Sequence, residues 1–312
     1  MKIYSAQSSR FHASQIQRIE DGFRLLGHEV TDFVSDAQIV YQNNPWFDQV
    51  LVDKAAGRLA SGAKIIFNVQ DIPFHIPSYP TDRLKQQLQQ ADAVTAISTT
   101  TASDLETLTG ISAPVIYQPI MPIVRTGHRK YPYRVLFIGR VGDPNKRSSI
   151  AAHALSILGF TSDQIITVGM EAPFYGGAYW GVANHETLND IYNSVDFVVC
   201  TARFGGIELP VIEAMAAGAV PLVLRDLHTR EELLPASLFP EYTAVEPSPQ
   251  SLTRFIASLV NEDSGQRLDA FKERLYQHYL SNWRYKTSSI GVAGRILKVY
   301  DSLVIDRQNT IT

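Results

Sequence analysis

A chain of 312 residues with 45% hydrophobic and 19% charged residues has the composition of a soluble globular protein of one or two domains. Its net charge of −3 gives no electrostatic footprint for bulk nucleic-acid binding and leaves only a local basic groove open. The single cysteine, Cys200, excludes an intramolecular disulfide and fits a cytoplasmic location, and no apolar run approaches the roughly 18 residues of a membrane span.

Residues 3–6 are expected as a first strand. Ile16, Ile19, Phe23 and Leu26, at spacings of 3, 4 and 3, define one face of an amphipathic helix that Gly27 ends. Strands are expected at 29–33, 39–41, 64–69, 93–97 and 114–117, with a helix at 51–60. After Ile97, the run Ser98-Thr99-Thr100-Thr101 supplies N-cap hydroxyls for a helix over 102–108. Residues 118–133 are rich in proline and carry Arg125, His128, Arg129 and Lys130; they read as an interdomain linker, its cations either solvated or a binding patch.

A second alternating series starts at Arg134. Its strands are expected at 135–138, 165–168, 197–200 and 220–224, with helices at 149–158, 185–195 and 211–217. Asn184 has the character of an N-cap, and Leu188, Ile191, Tyr192 and Val195 form the buried face of the helix that follows. Cys200 falls in an apolar strand and reads as a buried residue without a redox role. Helices over 252–260, 267–280 and 283–305 close the chain. Strands alternating with helices argue for parallel sheets covered on both faces. The organisation expected is therefore α/β: two Rossmann-like, doubly wound domains facing each other across a cleft. Residues 1–122 form the first, 123–133 the linker and 134–282 the second, with the helix at 283–305 packing back on the first.

Several chemistries lack their motifs. There is no Gly-x-x-x-x-Gly-Lys-Ser/Thr phosphate loop, and no strand runs into Gly-x-Gly-x-x-Gly. His185-Glu186-Thr187-Leu188-Asn189 lacks the second histidine of a zinc-protease helix, and Cys200 has no neighbouring ligand partner.

Two segments do carry chemistry. The strand at 135–138 runs into Gly139-Arg140-Val141-Gly142-Asp143-Pro144-Asn145-Lys146-Arg147 and then a helix. Arginine offers phosphate a bidentate fork and lysine a point charge, beside a helix N-terminus that itself attracts anions. Arg140 and Lys146 can grip one diphosphate on this reading, or be ordinary surface charges. The second segment, Phe204-Gly205-Gly206-Ile207-Glu208-Leu209-Pro210-Val211-Ile212-Glu213-Ala214-Met215-Ala216-Ala217-Gly218, reads as a glycine turn, a helix opened by proline, and a glycine C-cap. Glu213 is then expected in the first helical turn, at the end of the sheet where such folds bind ligands. It either accepts hydrogen bonds from the hydroxyls of a ribose or hexose, or only complements the helix dipole.

The run Leu-Pro-Val-Ile-Glu-Ala-Met-Ala-Ala-Gly, with Gly139-Arg140 and Lys146 upstream, resembles the C-terminal-domain signature of retaining glycosyltransferases of the two-Rossmann-domain (GT-B) type, family 4. Residues 25–31, the run Ala91-Asp92-Ala93-Val94-Thr95-Ala96-Ile97-Ser98, and Tyr179-Trp180-Gly181-Val182 resemble further elements of that family in the same order. The resemblance implies a nucleotide-sugar donor, most simply a UDP-sugar, as co-substrate, with no other cofactor and no metal. It implies that Arg140 and Lys146 hold the diphosphate, that Glu213 holds the ribose and that main chain near Val182 meets the base. Gly139, Gly206, Ile207, Glu208 and Leu209 complete the donor-side set, and Asp71 and His75 are the candidate acceptor-side catalytic groups beside Arg140 and Lys146.

The pattern also departs from the family. Family members carry two glutamates eight positions apart, and eight before Glu213 stands Gly205; Glu208 stands where the family has glycine. Ser8-Ser9-Arg10 replaces the glycine-rich loop after the first strand. The acceptor is left open among a glycan, a lipid-linked sugar, a small molecule and DNA, with peripheral membrane contact compatible with the sequence. Two alternatives share the fold: transfer to a DNA base, supported by the linker cations and Arg10, and a degenerate non-catalytic binder, supported by the glycine at 205.

Overall fold

The computed structural model describes residues 1–6, 13–44, 48–72, 80–172, 176–260 and 265–310. The chain divides into two compact units, Met1–Ile120 together with Tyr285–Thr312, and Met121–Arg284.

The first unit runs β1 (Lys2–Ala6), α1 (Ala13–Leu25), β2 (Glu29–Val30), β3 (Ile39–Asn43), α2 (Gln49–Ala55), β4 (Lys64–Val69), α3 (Thr81–Leu88), β5 (Ala93–Ala96) and α4 (Thr99–Thr109). The strands form one parallel sheet in the order β2-β1-β3-β4-β5. Central strands β3 and β4 are buried along their whole length, as near-continuous apolar runs between two helical layers must be. On one face Ile16, Ile19 and Phe23 of α1 pack against Ile3, Ile39 and Ile66; on the other Val40, Ile65 and Phe67 meet Leu51, Leu84 and Leu105. Ser98 caps α4 by accepting from the Thr101 N–H at 3.0 Å, so the helix starts at Thr99, three residues earlier than expected. Helix α2 stops at Ala55, and residues 114–117 contribute one bridge, Ala96 to Val115, where a strand was expected. Helix α3 was not anticipated, because Leu84 and Leu88 are its only apolar residues.

The second unit contains β6 (Val135–Ile138), α5 (Ser148–Ile157), β7 (Ile165–Val168), β8 (Ala178–Tyr179), α6 (His185–Ser194), β9 (Phe197–Val199), α7 (Leu209–Ala217), β10 (Val220–Leu222), α8 (Arg230–Leu233), α9 (Pro249–Val260) and α10 (Gln266–Asn282). Its parallel sheet has the order β10-β9-β6-β7-β8. Counted within the unit this is 5-4-1-2-3, the doubly wound dinucleotide-fold order, and the winding reverses between β6 and β9. Asn184 caps α6 by accepting from the Thr187 N–H at 2.8 Å, and Gly218 ends α7 at φ 76°, both as the sequence suggests.

The segment read as a linker is not free. It lies along α6: the Thr126 N–H donates to Asn193 Oδ1 at 2.7 Å, and the N–H groups of Lys130 and Tyr131 donate to Ser194 Oγ. Asp196 gathers three cations, from Arg129 and Lys272 at 2.6 Å and Arg134 at 2.8 Å, while Arg125 pairs with Glu273 and Lys130 with Asp190.

The chain then returns to the first unit as α11 (Ser289–Thr310), which starts six residues later than the expected 283. Ser288 sets that start, its hydroxyl accepting from the Gly291 N–H at 3.0 Å as an N-cap does. Val292, Ala293 and Ile296 of α11 join the core of α1. The two helices meet at Gly22, where a Cβ would stand 2.1 Å from the Ser289 carbonyl oxygen. Among the described residues no helix is long and apolar enough to cross a membrane.

Candidate functional site

Open α/β sheets bind ligands beyond the carboxyl ends of their strands, where the winding reverses. In the second unit that place lies between the loop after β6 and the loop after β9. The first loop leaves the sheet through Gly139, at φ 90°, a left-handed conformation that glycine adopts without penalty. Asp143 then accepts from the Asn145 N–H and turns the chain through a 3₁₀ turn, Pro144–Lys146, into α5.

The two loops are stitched together. Asn145 Nδ2 donates to the Phe204 carbonyl at 2.7 Å, and the Phe204 N–H donates back to Asn145 Oδ1 at 2.9 Å. Thr201 Oγ1 donates to the Lys146 carbonyl at 2.6 Å. Arg147, held at a positive φ of 48°, donates to the carbonyls of Thr201 and Ala202 and forks onto Asp226 at 2.7 and 2.8 Å. This clamp escaped sequence reading: Arg147 looks like one more loop cation, and nothing in the sequence pairs it with Asp226.

Between the loops lies a small pocket lined by Ile138, Lys146, Ser148, Cys200, Glu208 and Pro210 among others. Lys146 and Glu208 face each other across it, the ammonium 3.0 and 2.9 Å from the two carboxylate oxygens. Burial alone would push the Lys146 ammonium down, but the Glu208 carboxylate outweighs it and holds the pKa above the ordinary lysine value, so the lysine stays charged. Cys200 is buried, as expected; burial first, then the Glu208 carboxylate, raise its thiol well above the usual range and keep it protonated.

Arg140 starts the same loop but is exposed, paired with Asp143 at 3.1 Å. Gly206, Ile207 and Glu208 are buried and Leu209 is half-buried at the α7 N-terminus, whereas Val182, beyond β8, is 80% exposed. Gly205 stands where the resemblance sets the upstream glutamate. Its φ is not left-handed, and a Cβ there would lie 2.8 Å from Glu208 Oε1.

Glu213 departs from the expected position. Helix α7 starts at Leu209 with Pro210 second, which puts Glu213 fifth, in the second turn rather than the first. Its carboxylate is 8% exposed and already holds two donors, the Tyr192 hydroxyl at 2.7 Å and the Met121 N–H at 3.3 Å. Burial, then the adjacent carboxylate, push the Tyr192 phenol well above its usual range, which secures it as the donor. Two of the carboxylate's roughly four acceptor positions remain.

In the first unit Asp71 lies two residues past β4 and is half-buried, while His75, Ser8, Ser9 and Arg10 fall outside the described residues. The linker cations Arg125, Arg129 and Lys130, read as a possible nucleic-acid patch, are each paired with a carboxylate. No cluster of three metal-ligating side chains occurs among the described residues.

No family model matches this sequence, and no curated protein is similar to it by sequence. Solved structures do resemble it. A sucrose-phosphate synthase from Thermosynechococcus elongatus matches with a TM-score of 0.70 at 12% identity, over 98% of this chain and 99% of that one. AviGT4, a glycosyltransferase involved in avilamycin A biosynthesis, matches with a TM-score of 0.60 at 17% identity, over 98% of both chains. A TarM variant from S. aureus, in complex with fondaparinux, α-GlcNAc-glycerol and UDP, matches with a TM-score of 0.62 at 11% identity, over 92% of this chain and 58% of that one. The fold is that of the GT-B glycosyltransferases, two Rossmann-like domains in one chain.

Proposed function

We propose that this protein is a glycosyltransferase that moves a sugar from a nucleoside-diphosphate donor, a UDP-sugar in the simplest case, to an acceptor hydroxyl with retention of configuration. The observation that carries the reading is the second unit's switch point: a basic loop after β6 tied to the loop after β9 around a pocket that Lys146 and Glu208 line, with a second buried glutamate, Glu213, on the helix that follows. Arg140 and Lys146 hold the diphosphate. As the bond from the anomeric carbon to the diphosphate breaks, they stabilise the charge that builds on the leaving oxygen. Such preorganised stabilisation is commonly the largest single catalytic contribution. Glu213, fixed by Tyr192, accepts from the ribose hydroxyls. The anomeric carbon bonds to the acceptor oxygen and the hydroxyl proton leaves to a base, for which Asp71 and His75 are the candidates. The charge on the diphosphate is met by side chains and helix N-termini in this scheme, with no metal assigned a role.

The test is a thermal-shift screen against UDP-, GDP-, ADP- and dTDP-sugars, followed by turnover of the stabilising donor. Donor at about 100 times its dissociation constant stabilises the folded state by about 2.7 kcal/mol. Arg140→Ala is expected to lower turnover by roughly 10²–10³-fold, corresponding to about 3–4 kcal/mol. Full activity in that variant would remove Arg140 from the mechanism, and silence with every donor would favour a non-catalytic binder.

A further inference from the structure

Glu208 is set up differently from an ordinary helix-capping acid. It occupies the N-cap position of α7, yet its side chain makes no hydrogen bond to the helix N–H groups that such a residue usually satisfies. It reaches instead across the switch point and lays both oxygens on the Lys146 ammonium. The residue is 5% exposed and lines the pocket. Removing a carboxylate from water beside a single lysine is weak as a stabilising device, because desolvation offsets much of the attraction.

The chain also keeps space clear for this carboxylate. Gly205 does not adopt the left-handed conformation that glycine alone tolerates, so the backbone does not demand a glycine there. A side chain would collide with the Glu208 carboxylate, a Cβ at 205 lying 2.8 Å from Oε1, 3.6 Å from Cδ and 3.8 Å from Cγ. Glu213 is no substitute within the pocket, since it lies outside the lining, one helical turn on, with Tyr192 and Met121 as its donors.

We propose that Glu208 is the sugar-selecting residue of this site: its carboxylate, aimed by Lys146 into the space left by Gly205, accepts hydrogen bonds from ring hydroxyls of the transferred sugar. The proposal rests on the donor-site reading above and deepens it. Glu208 discriminates a sugar-bearing nucleotide from the bare diphosphate, and at the same time opposes the bare diphosphate by setting a negative charge beside the phosphate-binding lysine.

The experiment is isothermal calorimetry with bare UDP, GDP and ADP and with their glucose, galactose, mannose and N-acetylglucosamine conjugates, on wild type, Glu208→Gln and Gly205→Ala. Wild type is expected to bind one conjugate more tightly than its bare nucleotide. Glu208→Gln keeps the side-chain shape and loses the charge. It should weaken that conjugate by about tenfold or more, as loss of a charge-assisted hydrogen bond does, and bind the bare nucleotide as well as or better than wild type. Gly205→Ala alters neither charged group. Its Cβ meets only the end of a flexible side chain, so it displaces the carboxylate at small cost to the fold and should lose the same preference.

Equal weakening of bare and conjugated nucleotide in Glu208→Gln would mean that Glu208 only positions Lys146, and would overturn the proposal. So would a wild type with no preference for any conjugate, although the donor site would stand. A wild type that binds no nucleotide would overturn both.

Discussion

Asp196→Asn is the sharpest test of how the electrostatics of the second unit are arranged. Asp196 sits at the entry to β9, at the opposite end of the strand from the pocket, and its carboxylate is 5% exposed among Arg129, Arg134 and Lys272. Burial alone would raise its pKa; the lysine and the two arginines overcome that and hold it at about 2, against an ordinary 3.8. A folded-state value below the unfolded one means that the carboxylate stabilises the fold above pH 3.8. That stability is lost as pH falls from 3.8 through about 2. The displacement corresponds to roughly 2–3 kcal/mol at neutral pH. In a unit of this size that is about 5–10 °C in melting temperature. Urea unfolding followed by tryptophan fluorescence, with Trp283 2% exposed in this unit, gives the difference between wild type and variant at each pH. The difference should hold steady from pH 7 to 5, shrink from pH 4 downward, and approach zero near pH 2, where a protonated aspartic acid and an asparagine are near-equivalents. A gap that stays constant from pH 5 to pH 2 would refute the reasoning, because the loss would then come from packing rather than charge.

Three further outcomes follow from the geometry. Lys146→Met strands the buried Glu208 carboxylate and should destabilise by about 3 kcal/mol in chemical denaturation. Adding Glu208→Gln to that variant should recover most of the loss. Tyr192→Phe removes one of the two donors that Glu213 holds and should cost about 1–2 kcal/mol of stability. It should also weaken nucleotide binding measured by calorimetry, while Phe at an exposed tyrosine such as Tyr285 does neither. Gly22→Ala should destabilise by about 1–3 kcal/mol in thermal melts despite alanine's better helix propensity, because its Cβ meets the Ser289 carbonyl, and nucleotide binding should be untouched.

The second unit was the more legible half from sequence, and the reason is physical. Its strands are unbroken apolar runs, its glycines stand where the backbone requires them, Gly139 after β6 and Gly218 after α7, and its helix caps, such as Asn184, are local in sequence. Helix α3 was hidden because only two of its eight residues are apolar. The segment 114–117 has strand composition but finds one bridge partner. The start of α11 depends on Ser288, one hydroxyl in a polar stretch. In the site, Arg140, Lys146 and Glu213 stood out through local pattern. The engagement of Lys146 by Glu208, the Arg147–Asp226 clamp and the Asp196 cluster join residues far apart in the chain, 62, 79 and up to 76 positions. Periodicity and spacing carry no trace of such pairs. Glu213 was misplaced by part of a turn because proline, favoured at the first helical position, here occupies the second.

The seam between α1 and α11 has a bearing on the order in which the protein matures. Ile16, Ile19 and Phe23 emerge from the ribosome early with Ile3, Ile39 and Ile66, but Val292, Ala293 and Ile296, which complete their cluster, emerge only after the whole of Met121–Arg284. Domains made from one continuous stretch can close during synthesis, and those first in sequence usually do so first. Here the sequence order is inverted: the middle of the chain can complete its core while the beginning waits for the end. Throughout that interval the apolar cluster around α1 lacks its last three members. Gly22 shapes this last docking step, since its bare Cα lets the late helix settle against the early one.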